Sequence, residues 1–211
     1  ARGQAGLRSL CPMQGRRARD VAGLIAGTLV LAAGAAAARS GVSGAERAMF
    51  HTVNDLPERA FPALWGPMQY GAIGSVPVVS IGALAVRRPR LAVGLAAAGS
   101  AAWFLAKAAK PLVGRGRPAS TIEGAVLRGR DEDDRGFPSG HAAVSAALTT
   151  VVMPYVPAGW KPVPAALATV VPFARIYVGA HLPLDVVGGS AMGVAIGSAI
   201  NLALGVPRGA R

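Results

Sequence analysis

Apolar stretches long enough to cross a bilayer set the limits on what this chain can become. Residues 21–38 carry no charged side chain, and about 20 mainly apolar residues in a helix cross the hydrocarbon core. Residues 60–86 also carry none. There 68–86 read as a second span, with Pro77 inside it as an expected kink. A third span is expected over 91–109, ended by Pro111. Residues 140–156, 163–178 and 183–205 complete six. In lipid the backbone must satisfy its own hydrogen bonds, which helices do. The expectation is an all-α polytopic membrane protein with six transmembrane helices in one domain. Its parts are a basic cytoplasmic flank over 1–20, a membrane domain over 21–205 and a short cytoplasmic tail over 206–211. Hydrophobic residues make up 52% of the chain but aromatics only 5%. The apolar content is therefore mostly small, as where helices approach closely in lipid. Gly189, Gly193 and Gly197 form a small-residue stripe on the last span, read as an internal helix contact rather than a dimer seam.

The formal net charge of +12 first suggests nucleic acid, but a basic soluble binder has no use for such apolar runs, so no nucleic-acid partner is expected. Basic residues collect instead at the ends of the runs. Arg2, Arg8, Arg16, Arg17 and Arg19 precede the first span, as a membrane-surface flank or a disordered tail. Arg87, Arg88 and Arg90 separate the second from the third, and Lys161, Arg208 and Arg211 fall on the same side. Positive charge marks the cytoplasmic side. Trp65, Tyr70, Tyr155 and Trp160 read as interfacial aromatics. Cys11 is the only cysteine, so no intrachain disulfide is available. Residues 39–59 read as an outer loop with a short helix, and His51 in it as structural or exposed. Oligomeric state is not legible.

Three polar clusters sit at the opposite ends of the runs. One holds Lys110, Arg117 and Pro118. The second is Pro138-Ser139-Gly140-His141. The third holds Arg175, His181 and Asp185. Ser139 is a good N-cap. Gly140 and His141 then present first-turn N–H groups that suit an anion. His141 moves protons near neutral pH. A lone cation at an apolar boundary usually snorkels, which is the reading for Lys107, with a second phosphate contact as the alternative. Three clusters supplying a Lys, two Arg, two His and an Asp are not explained that way, and ionisable groups at a membrane edge suggest a function. The run Asp131-Glu132-Asp133-Asp134 reads as a solvated, self-paired loop, with a cation site or a gate as alternatives.

The order K-x6-R-P, P-S-G-H, R-x5-H-x3-D over residues 110–185 resembles the type 2 phosphatidic acid phosphatase family of membrane lipid phosphatases, which shares its site with vanadium haloperoxidases. The resemblance implies a haloperoxidase-like helical core and a lipid phosphatase with His181 as nucleophile through a phosphohistidine. In such a site Asp185 holds the other ring nitrogen, and His141 protonates the leaving group and then activates water. Lys110, Arg117 and Arg175 suit a clamp on the phosphate oxygens, and Ser139 and Gly140 complete the cradle. Ala174 departs from the usual Ser before the third-motif Arg, removing a hydroxyl from the phosphate side, with affinity rather than reaction type affected. No cofactor is called for. Three cations repel a divalent metal, which argues against His141, His181 and Asp185 as metal ligands. The substrate expected is a lipid phosphate or prenyl diphosphate, presented in the bilayer to a site on the outer face of a bacterial plasma membrane. Alternatives are a phosphotransferase to another lipid or sugar, and a non-catalytic membrane protein that retains the fold.

This topology predicts that a cysteine placed at 128 or 135 reacts with an impermeant thiol reagent in intact cells, and one placed at 88 does not. The reverse labelling pattern puts the three clusters on the cytoplasmic side.

Overall fold

The computed structural model describes residues 2–129 and 135–205, with side chains from residue 15 onward. The described elements are α1 (Arg2–Arg39), α2 (Gly44–Asn54), α3 (Phe61–Met68), α4 (Ser75–Ala85), α5 (Pro89–Val113), α6 (Pro118–Thr121), α7 (Gly140–Val152), α8 (Pro162–Tyr177) and α9 (Pro183–Leu204), joined in places by single 3-10 turns. No strand occurs among the described residues, so the all-α expectation holds. The acidic run 131–134 and the tail 206–211 lie outside the described residues. The basic N-terminal flank from Arg2 forms the first part of α1, which runs on without a break to Arg39.

Three described segments are long and apolar enough to cross a membrane: Gly15–Arg39, Pro89–Val113 and Pro183–Leu204. A fourth arises if Glu58–Gly71 and Ser75–Ala85, bent by 70° at their junction, are one broken span. The described residues thus hold three or four such spans, and the expected count of six is not confirmed. α7 has 13 residues and α8 has 16. At 1.5 Å per residue α7 is about 20 Å long, short of the hydrocarbon core. Pro154 lies just past the end of α7, where its missing N–H cannot continue the ladder.

Two proline expectations are corrected. The second span bends at 72–74 rather than at Pro77. Pro77 lies in the first turn of α4, where an N–H has no helical acceptor anyway. Pro111 does not stop α5, which runs to Val113. The stop is Gly114, at φ 67, whose N–H donates to the Lys110 carbonyl at 3.0 Å. A left-handed C-cap of this kind suits glycine. Pro183 does open α9, with Leu182 as N-cap.

The bundle is apolar outside and small inside. On α5 the buried residues Leu91, Leu95, Ala98, Ala102 and Ala106 recur at helical spacing, while Val93, Phe104 and Leu105 face outward. Ile25 and Leu29 of α1 and Val78, Ile81 and Leu84 of α4 are likewise exposed. So broad an apolar exterior suits lipid rather than water. Without a hydrophobic drive between helices, close packing of small residues must hold the bundle. The glycine stripe of α9 does this. A Cβ on Gly189 would strike the Ser139 carbonyl, and one on Gly193 the Ala143 carbonyl. A Cβ on Gly197 would sit 2.7 Å from Thr150 Cβ. All three partners are on or beside α7, so the stripe is an internal contact. On the other side Gly27 of α1 would place a Cβ 2.6 Å from the Ala191 carbonyl.

The two ends of the bundle differ. At one, Arg88 donates to the Tyr155 carbonyl at 3.4 Å and stacks over its ring, so the basic turn meets the α7–α8 connection there. At the other end α5 and α8 finish and α7 and α9 begin.

Gly193→Ala is expected to destabilise the protein by about 1–3 kcal/mol through overpacking against a backbone oxygen that cannot move aside. Gly66→Ala, with nothing within 4 Å, is the control. A lowered melting temperature in detergent for the first and not the second checks it.

Candidate active site

Helix ends bring the three clusters to one end of the bundle, and backbone hydrogen bonds tie them together. Past Gly114 the chain folds back so that Gly136 N–H donates to the Arg115 carbonyl at 2.8 Å and Gly116 pairs with Arg135. This joins the first cluster to the approach of the second. Phe137, buried, wedges beside Gly34 of α1 and Gly188 of α9. Ser139 N–H then donates to the Asp185 carbonyl at 2.9 Å, joining the second cluster to the third. Arg117 closes the ring: its Nη1 donates to the Ala180 carbonyl at 2.9 Å.

The third cluster is a tight turn between α8 and α9. The Arg175 carbonyl accepts both the Ala180 and the His181 N–H. Asp185, in the first turn of α9, accepts the Leu182 N–H at 2.9 Å on Oδ2. The same oxygen lies 3.6 Å from His181 Nδ1, ion-pair range but longer than a hydrogen bond. His181 and Asp185 are 2% and 0% exposed, so their interaction is shielded from water. Arg117, Arg175 and Ser139 are buried too.

Ser139 is the N-cap of α7, its hydroxyl accepting the Ala142 N–H at 3.5 Å. Gly140 and His141 occupy the first turn and are half-buried. The His141 ring meets Trp103 of α5 edge-on, with centroids 6.3 Å apart. Lys110 is half-buried seven residues beyond Trp103, so α5 presents both on one face. Lys107 lies 5.0 Å over the Trp103 ring, a cation–π contact. Ser139, Arg175, His181 and Asp185 are thus tied by backbone bonds and the His181–Asp185 contact, and Arg117 joins them through the Ala180 carbonyl, while Lys110 and His141 reach the same end through α5 and α7. His51 lies on α2, 3.4 Å from Asp55, away from these contacts. Ala174 is fully buried in an apolar cluster with Met68, Tyr177, Val178 and Ala180, a place where a methyl leaves no hydroxyl to satisfy.

Two residues of this region escaped the sequence reading. Arg115, 5% exposed, donates from Nη1 to Asp185 Oδ1 at 3.1 Å and to Glu46 Oε1 at 3.0 Å. Its Nη2 donates to Glu46 Oε2 and to the Gly41 carbonyl. Glu46 also accepts the Leu184 N–H at 2.9 Å. Burial works against the Arg115 charge, but the hydrogen bonds and charges of Glu46 and Asp185 outweigh it and raise its pKa above the usual value. Arg115 lies two residues before Arg117, and that proximity was the available signal. Glu46 was masked by a different pattern, since Ser43-x-x-Glu46 reads as a capping box. Ser43 does cap α2, accepting the Glu46 N–H, but the carboxylate turns away to Arg115.

A second clamp fixes the segment around Val126 to the ends of α2 and α8. Asn54, fully buried, donates to the Val126 and Tyr177 carbonyls at 2.9 Å and accepts the Val126 N–H. Arg128 donates to the Asn54, Leu56 and Tyr177 carbonyls and lies 4.4 Å over the Tyr177 ring. Among the described residues no three His, Cys, Asp or Glu side chains converge as metal ligands.

Residues 90–205 match the PAP2 superfamily. Among solved structures the fold is similar to LpxE of Aquifex aeolicus, with TM-score 0.65 and 23% identity over 72% of this chain and 92% of that one. It is also similar to a transmembrane PAP2 type phosphatidylglycerolphosphate phosphatase from Bacillus subtilis. There the TM-score is 0.69 and the identity 19%, over 84% of this chain and 93% of that one. At these identities the likeness is one of fold. No curated protein matches the chain in sequence.

Proposed function

This chain belongs to the PAP2 superfamily, and from that premise we propose that it hydrolyses a lipid phosphate or prenyl diphosphate through a phosphohistidine on His181. The observation that carries the reading is the buried contact of His181 Nδ1 with Asp185, beside Arg117 and Arg175 at the end of the bundle. A carboxylate at Nδ1 holds the proton there and leaves Nε2 as the nucleophilic nitrogen.

In the first step Nε2 attacks phosphorus in line and the bond to the leaving oxygen breaks. Lys110, Arg117 and Arg175 offset the charge on the phosphoryl oxygens, and the first-turn N–H groups of α7 behind Ser139 and Gly140 add neutral donors. His141 gives its proton to the leaving oxygen. In the second step His141 takes a proton from water, water attacks phosphorus, and the P–N bond breaks to free His181 and inorganic phosphate. Release of inorganic phosphate separates this from transfer to another lipid or sugar. The basic residues Arg87, Arg88, Arg90 and Lys161 belong to the other end of the bundle, and the positive-inside rule then favours a site on the outer face of the plasma membrane. An outward site favours a carrier-lipid diphosphate. The PAP2 neighbour from Bacillus subtilis, described as a phosphatidylglycerolphosphate phosphatase, keeps phosphatidylglycerol phosphate within the candidate range.

His181→Ala is expected to abolish the single-turnover burst of phosphoenzyme on any substrate, while Asp185→Asn leaves a weak residue of it. A phosphoenzyme trapped in His181→Ala shows the nucleophile to be another residue. His141→Ala is expected to slow the burst from an alkyl monophosphate by roughly a hundred- to ten-thousandfold, and from an aryl phosphate far less, because the aryl oxide leaves without a proton. Equal losses on both reduce His141 to a binding role.

Turnover is also expected to persist in excess chelator, since the cationic clamp supplies the charge stabilisation that a divalent ion provides elsewhere. Loss of phosphate release on chelation, restored by adding a metal back, contradicts the clamp.

A further inference from the structure

We propose that Arg115 and Glu46 are positioning residues that set the His181 nucleophile through Asp185; the inference rests on the phosphatase reading above. Asp185 is fully buried. The Leu182 N–H holds only Oδ2, the oxygen nearest His181 Nδ1. Arg115 Nη1 holds Oδ1 from the other side. With both oxygens held, the carboxylate plane is fixed and Oδ2 stays turned to the imidazole. Gly136 closes over it: a Cβ there would lie 2.5 Å from Oδ2, so no side chain fits.

Charge explains why Glu46 is needed. An isolated Arg115–Asp185 pair would be neutral and would leave no net negative charge beside His181. Glu46 takes one hydrogen from each Nη of Arg115, so its charge is shared between two carboxylates. The three groups sum to one negative charge facing an imidazole that becomes cationic when Nε2 bonds phosphorus. Arg117 and His181 are the other titratable groups beside Asp185. Glu46 also accepts the Leu184 N–H, so α2 holds the guanidinium and the first turn of α9 with one carboxylate.

The same geometry separates Arg115 from the phosphate clamp. Its four Nη hydrogens go to Glu46 twice, Asp185 and Gly41. Its Nε–H is buried without a hydrogen-bond partner among the described residues, so the assignment rests on the two Nη groups, through which Arg115 acts on the rate of attack and not on substrate binding. Removing an outer partner that orients a metal-ligating side chain typically costs about ten- to a hundredfold, and a partner that orients Asp185 is expected to fall in the same range.

The test is a double-mutant cycle read by single-turnover burst kinetics on the full-length protein in detergent, with a lipid phosphate that the wild type turns over. Arg115→Met is expected to lower the burst rate constant by about ten- to a hundredfold. The half-saturating substrate concentration should stay within about twofold. In the Asp185→Asn background the same change should cost less than about twofold, because nothing is left to position. A rise in half-saturating concentration at unchanged rate makes Arg115 a phosphate ligand and overturns the proposal. Full multiplicative loss in the Asp185→Asn background makes its role merely structural and overturns it too. If Arg115→Met does not fold, Glu46→Gln decides: a slower burst at unchanged half-saturation supports the proposal, and a wild-type rate overturns it. A wild type without a His181 phosphoenzyme overturns the phosphatase reading and the inference together. A wild-type burst with additive variants overturns the inference alone.

Discussion

A fully buried carboxylate at the start of α9 is the constraint around which this protein is built. Asp185 has no access to water, and an unpaired charge in that position costs several kcal/mol. Its neighbours meet that cost from three directions: a backbone N–H in its own turn, the guanidinium of Arg115 from the loop after α5, and His181 from the loop after α8. Satisfying one group thereby fixes the relative position of three chain segments. Glu46 extends the network to α2, so an outer helix that carries none of the three clusters becomes part of their support.

Close packing in the membrane interior serves the same end. Gly189 lets α9 lie against the Ser139 carbonyl, and Gly193 and Gly197 let it follow α7 for two further turns. That approach sets the depth at which the N-terminus of α7 meets the first turn of α9. The Ser139 N–H bond to the Asp185 carbonyl marks the meeting point. The polar end and the apolar body are therefore one construction. Bulk on the glycine stripe would displace the donors of α7 from the third cluster, even though no glycine of the stripe belongs to it.

Much of this was legible locally. Ser139 as a cap, Pro183 as the first residue of α9 and the internal role of the glycine stripe follow from rules that act within a few residues. Prolines misled where position within the helix mattered more than presence. Pro77 sits in a first turn and costs nothing there, while Pro111 is tolerated a turn before a glycine cap. Only the packing showed that the Ala174 methyl lies in an apolar cluster around Met68 and Tyr177.

By itself the sequence determined the helical class, the places where apolar runs begin and end, and the three clusters whose order marks the family. Those are set by transfer of side chains into lipid and by backbone hydrogen bonding, both of which act within one segment. Only the tertiary structure decided which charges pair. Glu46, Arg115 and Asp185 lie about 70 residues apart in succession, and nothing local to any of them names the others. Ser43-x-x-Glu46 even points elsewhere, to an ordinary helix cap. The pairing is decided by which helix ends meet, because a buried ion is stable only where a partner of opposite charge is brought within reach.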